Sequence, residues 1–129
     1  MNDFARHSLL VFLGSGVGGV ARFAFGETAR LVIPQYGSAF PWATLSVNVI
    51  GCLAIGVLAP LLRHDLAALI LAGVLGGFTT FSTFGRETIE LWSSGRHAMA
   101  CVYVLASVLA GIGAAAIGYC VTDFMHKTA

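Results

Sequence analysis

Charge is what this 129-residue chain has least of. Charged residues make up 10% of it, seven Lys or Arg and six Asp or Glu, for a formal net charge of +1. Soluble domains carry about 25% charged residues, and a fold this small leaves much of its surface wet and in need of a polar coat. So few charges cannot supply that coat, which excludes an ordinary cytosolic enzyme. The lack of a basic excess argues against a nucleic-acid partner, whose binder shows a basic stripe. Disorder is excluded too, because hydrophobic residues reach 57% and disordered chains need low hydrophobicity. Cysteine is scarce. Cys52, Cys101 and Cys120 form no Cys-x-x-Cys pair, so they read as small core hydrophobes rather than a disulfide framework or zinc site. HExxH, GxSxG, phosphate-loop and GxGxxG motifs are all missing, so catalysis is not expected. The histidines, at 7, 64, 97 and 126, sit near the ends of apolar segments and suggest no metal cluster. What remains is an all-α integral membrane protein coated by lipid.

The apolar residues are arranged accordingly. A spanning helix needs about 20 mostly apolar residues. The gaps between charges predict four spans in one membrane domain, about 8–31, 41–62, 66–92 and 97–122. The connections are brief: Val32–Phe40, with Pro34 and Gly37, then Arg63-His64-Asp65, then Ser93–Arg96. The first segment has no clean small-residue cleavage site and is expected to stay as a helix rather than act as a signal peptide. Lys and Arg in the loops normally set orientation. Arg6, Arg63 and Lys127 lie on one face, Arg30 and Arg96 on the other. This near balance permits insertion in both orientations.

Small residues recur at close-packing spacing: Gly14-xxx-Gly18 and Ser15-xxx-Gly19 in span one, Gly73-xxx-Gly77 in span three, and Ala106, Ala110, Ala114 and Gly118 in span four. Such stripes let membrane helices approach closely. Four short helices enclose little volume, so a homo-oligomer is expected.

In lipid the informative residues are the costly ones. Asn48 lies within span two and must find partners, either in an interhelical bond that locks packing or in a ligand contact through its amide. Span three holds Gly76-Gly77-Phe78-Thr79-Thr80-Phe81-Ser82-Thr83-Phe84-Gly85-Arg86-Glu87. Adjacent glycines weaken a helix, and four hydroxyls with three phenyl rings follow directly. The expectation is a helix broken near its middle at Gly76-Gly77. Broken backbone at membrane depth is tolerated only where protein covers it or a wet path runs past it. Freed carbonyls there can coordinate a cation, and hydroxyls can donate to an anion. Phe81 and Phe84 share a helical face, and phenyl edges are positive. Ordinary aromatic packing and i−4 hydroxyl bonding remain the alternatives. Arg22 and Arg86 lie about one turn inside their apolar segments and either snorkel to headgroups or concentrate anions in a vestibule. Tyr103 and Ser107, at i and i+4, share one face of span four.

Together, Gly18-xxx-Arg22-Phe23, Pro41-Trp42-Ala43-Thr44-Leu45 with Asn48 and Gly51, and the run Gly76–Phe84 followed by Glu87 resemble the Fluc (CrcB) fluoride channels. The resemblance covers essentially the whole chain, and the GGxTTFSTF run is highly specific. Two positions depart from the family pattern: Ala43 stands where Gly is usual, and Gly85 where Ser often follows the last Phe. The resemblance implies an antiparallel, dual-topology homodimer in the bacterial cytoplasmic (inner) membrane, with two fluoride pores and a central structural Na+ at the dimer interface. By position it implies sodium-holding backbone carbonyls at Gly76 and Thr79, anion-contacting rings at Phe81 and Phe84, an amide donor at Asn48, a polar track of Ser82, Thr83, Glu87, Tyr103 and Ser107, and a vestibule arginine at Arg22. The implied role is passive export of fluoride.

Two rival readings stand beside it. A small four-span proton-coupled exporter of organic cations would want an acidic residue mid-membrane in span one, where Glu27 is the only candidate and sits near the span's end. A purely structural membrane subunit would leave the density of hydroxyls and rings in span three unexplained.

Overall fold

The computed structural model describes residues 2–32 and 40–128. Among these, all regular structure is helical. Helix α1 spans Asp3–Val32, α2 Trp42–Leu58 and α6 His97–Thr128. Between α2 and α6 lies a composite segment: α3 (His64–Leu66), a wide π-helical stretch (Ala67–Leu75), α4 (Gly76–Phe78) and α5 (Phe81–Ser93). Asp3–Ala29, His64–Ser93 and His97–Thr128 are long and apolar enough to cross a membrane, and α2 is a shorter apolar helix of 17 residues. Large apolar side chains such as Phe12, Phe23, Leu109, Ile112 and Phe124 cover the exterior, as suits a multi-pass membrane protein whose solvent is lipid.

Helix boundaries depart from expectation for local reasons. Span two was expected over 41–62, but α2 stops at Leu58, because Pro60 has no N–H to continue the ladder. The chain turns through Leu61 and Leu62, whose amides both donate to the Leu58 carbonyl. The first connection, expected over Val32–Phe40, lies mostly outside the described residues. Helix α5 ends in a Schellman motif: Gly95 adopts φ 79°, its N–H donates to the Trp92 carbonyl, and the Arg96 N–H donates to that of Leu91.

Helix α1 packs along the π-helical stretch and α4, and α2 packs along α6. Glycine makes the first contact possible. A Cβ at Gly14 or Gly18 would run into the Leu69 or Val74 carbonyl, and one at Gly77 would strike the backbone of Ser15. The paired stripes of spans one and three therefore meet each other. On the other pair, Gly56 lies against the backbone of Ala115 and Gly118 against that of Leu53 and Val57. The Thr122 hydroxyl donates across to the Val57 carbonyl at 3.0 Å.

Two expectations fail on α6. Its packing face runs through Ala100, Tyr103, Gly111, Gly118 and Thr122; of the predicted stripe only Gly118 lies on it, while Ala106 and Ala114 are half-buried and Ala110 is exposed. Tyr103 lies on that face, fully buried, with its hydroxyl donating to Glu87. Cys101 and Cys120 fall off the same face and are exposed free thiols rather than core residues, while Cys52 is half-buried. At the membrane edge, Asp65 gathers Arg6 at 3.0 Å and the His7 ring at 3.0 Å, tying the start of α1 to the start of the third segment.

The glycine contacts lead to a paired prediction. Gly18→Ala should lower stability by about 1–3 kcal/mol, as overpacking does. Gly16→Ala, where a Cβ meets nothing within 4 Å, should be neutral or gain up to about 1 kcal/mol of helix propensity. Unfolding of the two variants in detergent checks the contrast.

Candidate functional site

The third segment breaks at Thr79 and Thr80, two residues beyond the Gly-Gly pair expected to break it. Gly76 and Gly77 remain helical in α4, where Gly77 is needed for the approach to α1. Thr79 (ψ 159°) and Thr80 (φ −150°, ψ 114°) are extended. The Thr80 peptide is then held from the side by Asn48. The Thr80 N–H donates to Asn48 Oδ1 at 2.8 Å, and Asn48 Nδ2 donates to the Thr80 carbonyl at 3.0 Å. Asn48 thus satisfies both backbone polar groups of one residue, Thr80, which meets the packing alternative and still leaves one N–H of its amide.

Thr80 also caps the new helix. Its Oγ1 accepts from the Thr83 N–H at 3.2 Å and donates to Thr83 Oγ1 at 3.0 Å, and the Ser82 hydroxyl lies 3.3 Å from it. The positive end of α5 therefore begins at Phe81, surrounded by hydroxyls. The Thr79 hydroxyl turns back to the Leu75 carbonyl at 2.9 Å.

Beside the break lies a cleft of about 440 Å³. Asn48, Gly76, Thr79, Phe81, Phe84 and Ser107 all reach its wall. The Phe81 and Phe84 ring centroids are 5.4 Å apart with planes tilted by 47°. Phe81 is 83% exposed, although it stands at the centre of the segment. The Ser107 hydroxyl is buried without a hydrogen-bond partner, an unmet polar group that calls for a ligand or water.

Glu87 lies one step further along. Its two oxygens accept from the Thr44 hydroxyl at 2.9 Å and the Tyr103 hydroxyl at 2.8 Å. Tyr103 is fully buried, and its ring meets Phe84 at 5.2 Å and, edge-on, Phe40 at 5.4 Å. Rings and hydroxyls are therefore continuous from the cleft through Phe84 and Tyr103 to Glu87. Arg22 stands apart. Its Nε donates to the Gly77 carbonyl at 3.2 Å, behind the break, and it lines neither this cleft nor the cavity next to Glu87.

Thr44 and Thr80 are the participants that residue-by-residue reading left out. Thr44 precedes Asn48 by four positions on α2, so it shares that face, and that spacing was the available signal.

Among the described residues no three His, Cys, Asp or Glu side chains cluster. The Thr80 N–H, diverted to Asn48, is the donor that the Gly76 carbonyl would have in an unbroken helix. Gly76 and Thr79 both line the cleft. Carbonyl oxygens suit a hard cation, so these residues fit the group that the resemblance implies.

Residues 9–119 match the family described as CrcB-like protein, Camphor Resistance (CrcB). The chain belongs to this family. Among relatives of this CrcB chain, a protein of Paracoccus denitrificans named fluoride-specific ion channel FluC is 45% identical over 118 residues, 88% of this chain and 92% of the relative. Proteins of the same name from Rhizobium johnstonii and Phocaeicola vulgatus are 41% and 38% identical, over 85% and 81% of this chain and 89% and 88% of theirs.

The hydroxyl contacts on Glu87 make a structural prediction. Thr44→Val keeps shape but leaves one Glu87 oxygen without its donor, and should cost about 1–3 kcal/mol. Equilibrium unfolding in detergent, compared with wild type, measures it.

Proposed function

We propose that this CrcB-family protein is a fluoride-specific channel of the bacterial cytoplasmic membrane that lets fluoride leave the cell passively. The observation that carries the reading is the continuous run of rings and hydroxyls beside a broken helix, in a chain whose relatives bear the name fluoride-specific ion channel. Fluoride is small and holds its water tightly, so a pore must replace that water with many donors without trapping the ion. In this reading the free Asn48 N–H, the Ser107, Ser82 and Thr83 hydroxyls and the edges of Phe81 and Phe84 offer such donors. Glu87, held by Thr44 and Tyr103, ends the polar track.

The same reading takes the chain as four spans, with α2 as the shortest, in an antiparallel homodimer carrying two pores. An exposed Phe81 and a cleft open on one side suit a partner copy, and the near-balanced loop charges allow opposite insertion. A sodium ion, held by the carbonyls of Gly76 and Thr79 from both copies, would supply fixed positive charge at the interface. The organic-cation exporter loses its main residue: Glu27 is exposed near the end of α1, away from the cleft.

Purified protein in liposomes tests the reading. Fluoride efflux, followed with an ion-selective electrode, should be fast and chloride efflux negligible. Equal movement of both ions, or none of fluoride, would overturn it. Phe81→Ile and Phe84→Ile should each slow fluoride efflux by about tenfold or more, the factor of a barrier raised by about 1.4 kcal/mol.

A further inference from the structure

A second cavity, of about 340 Å³, opens where α5 meets the start of α6, and Glu87 forms part of its wall. Glu87 is also where the ring-and-hydroxyl path ends, so this cavity is the mouth of that path on the α5–α6 side. Its charged lining is Arg86, Glu87, Glu90 and Arg96, which sums to zero. Three of the four are engaged within the fold. Arg86 pairs with Glu90 one helical turn on, and both Glu87 oxygens accept hydroxyls. Arg96 forms no ion pair among the described residues.

The backbone of Arg96 is nevertheless fixed. Its N–H closes the Schellman motif on Leu91, and its carbonyl accepts from Ala100 to start α6. Arg96 is thus an exposed cationic residue on an anchored stem, and it lines a cavity whose other charged residues sum to one negative charge. Arg22, the vestibule arginine expected from the resemblance, spends its Nε donor on the Gly77 carbonyl and does not serve this mouth.

We propose that Arg96 is the anion-recruiting residue of the mouth at Glu87: its unpaired charge cancels the local carboxylate and draws fluoride to the path while the ion is still hydrated. The proposal rests on the fluoride-channel reading above. One unit charge about 7 Å from an ion in water changes its local concentration about threefold, and salt screens that effect.

The test is fluoride current in planar bilayers of neutral lipid. At roughly 10 mM ionic strength, where the Debye length is about 30 Å, Arg96→Gln should lower the current about threefold and Arg96→Glu about tenfold, with Arg96→Lys near wild type. At roughly 1 M, where the Debye length is about 3 Å, all four proteins should converge. Currents that are equal at low salt overturn the role of Arg96, as does a deficit of the Gln and Glu variants that persists at high salt, which marks a structural effect. A wild type without fluoride current fails the channel reading itself and is told apart from both.

Discussion

One side-chain amide holds the backbone of one residue, Thr80, and the arrangement around the cleft depends on that pairing. A peptide unit freed at membrane depth costs several kcal/mol if nothing satisfies it. Asn48 supplies an acceptor and a donor to Thr80, and so makes an interrupted helix tolerable. Everything around the cleft follows from the interruption. Thr80 becomes a cap instead of a mid-helix residue, α5 acquires an N-terminus of its own, and Phe81 and Phe84 start a new helix with rings side by side. The Gly76 carbonyl loses a helical donor for the same reason.

The surroundings keep this arrangement in place with very little charge. Glycines on α1 and α4 bring two backbones together behind the break, and Gly56 and Gly118 do the same for α2 and α6. Gly51 on α2 faces the Thr79 methyl closely, which brings α2, and with it Asn48 and Thr44, against the third segment. The low charge that first marks the chain as a lipid-coated protein thus has a second consequence. The groups that line the cleft are one side-chain amide, hydroxyls, phenyl rings and aliphatic side chains, with no formally charged residue among them.

Much of this was legible in the sequence, because hydropathy and charge spacing act on long windows. The apolar helices stood out, and so did the facing stripes of Gly14, Gly18, Gly73 and Gly77. Errors came where two causes compete for one residue. Adjacent glycines signal both a weak helix and a close contact. At Gly76-Gly77 the contact with Ser15 won, and the break moved to the threonines that Asn48 can reach. On α6 the small-residue repeat suggested one packing face, but the buried face passes through Tyr103 and shares only Gly118 with that repeat. Thr44 was hidden because its partner lies 43 positions away on another helix, and spacing along one chain does not show such a pairing.

The central claim is that the Asn48 amide, not the threonines' own preference, holds the helix open. Hydrogen exchange at the Thr80 amide, measured in wild type and in Asn48→Ala, tests it most directly. The account predicts strong protection in wild type and a selective loss at Thr80 in the variant, with the middle of α5 unchanged. Equal protection of Thr80 in both proteins would contradict it.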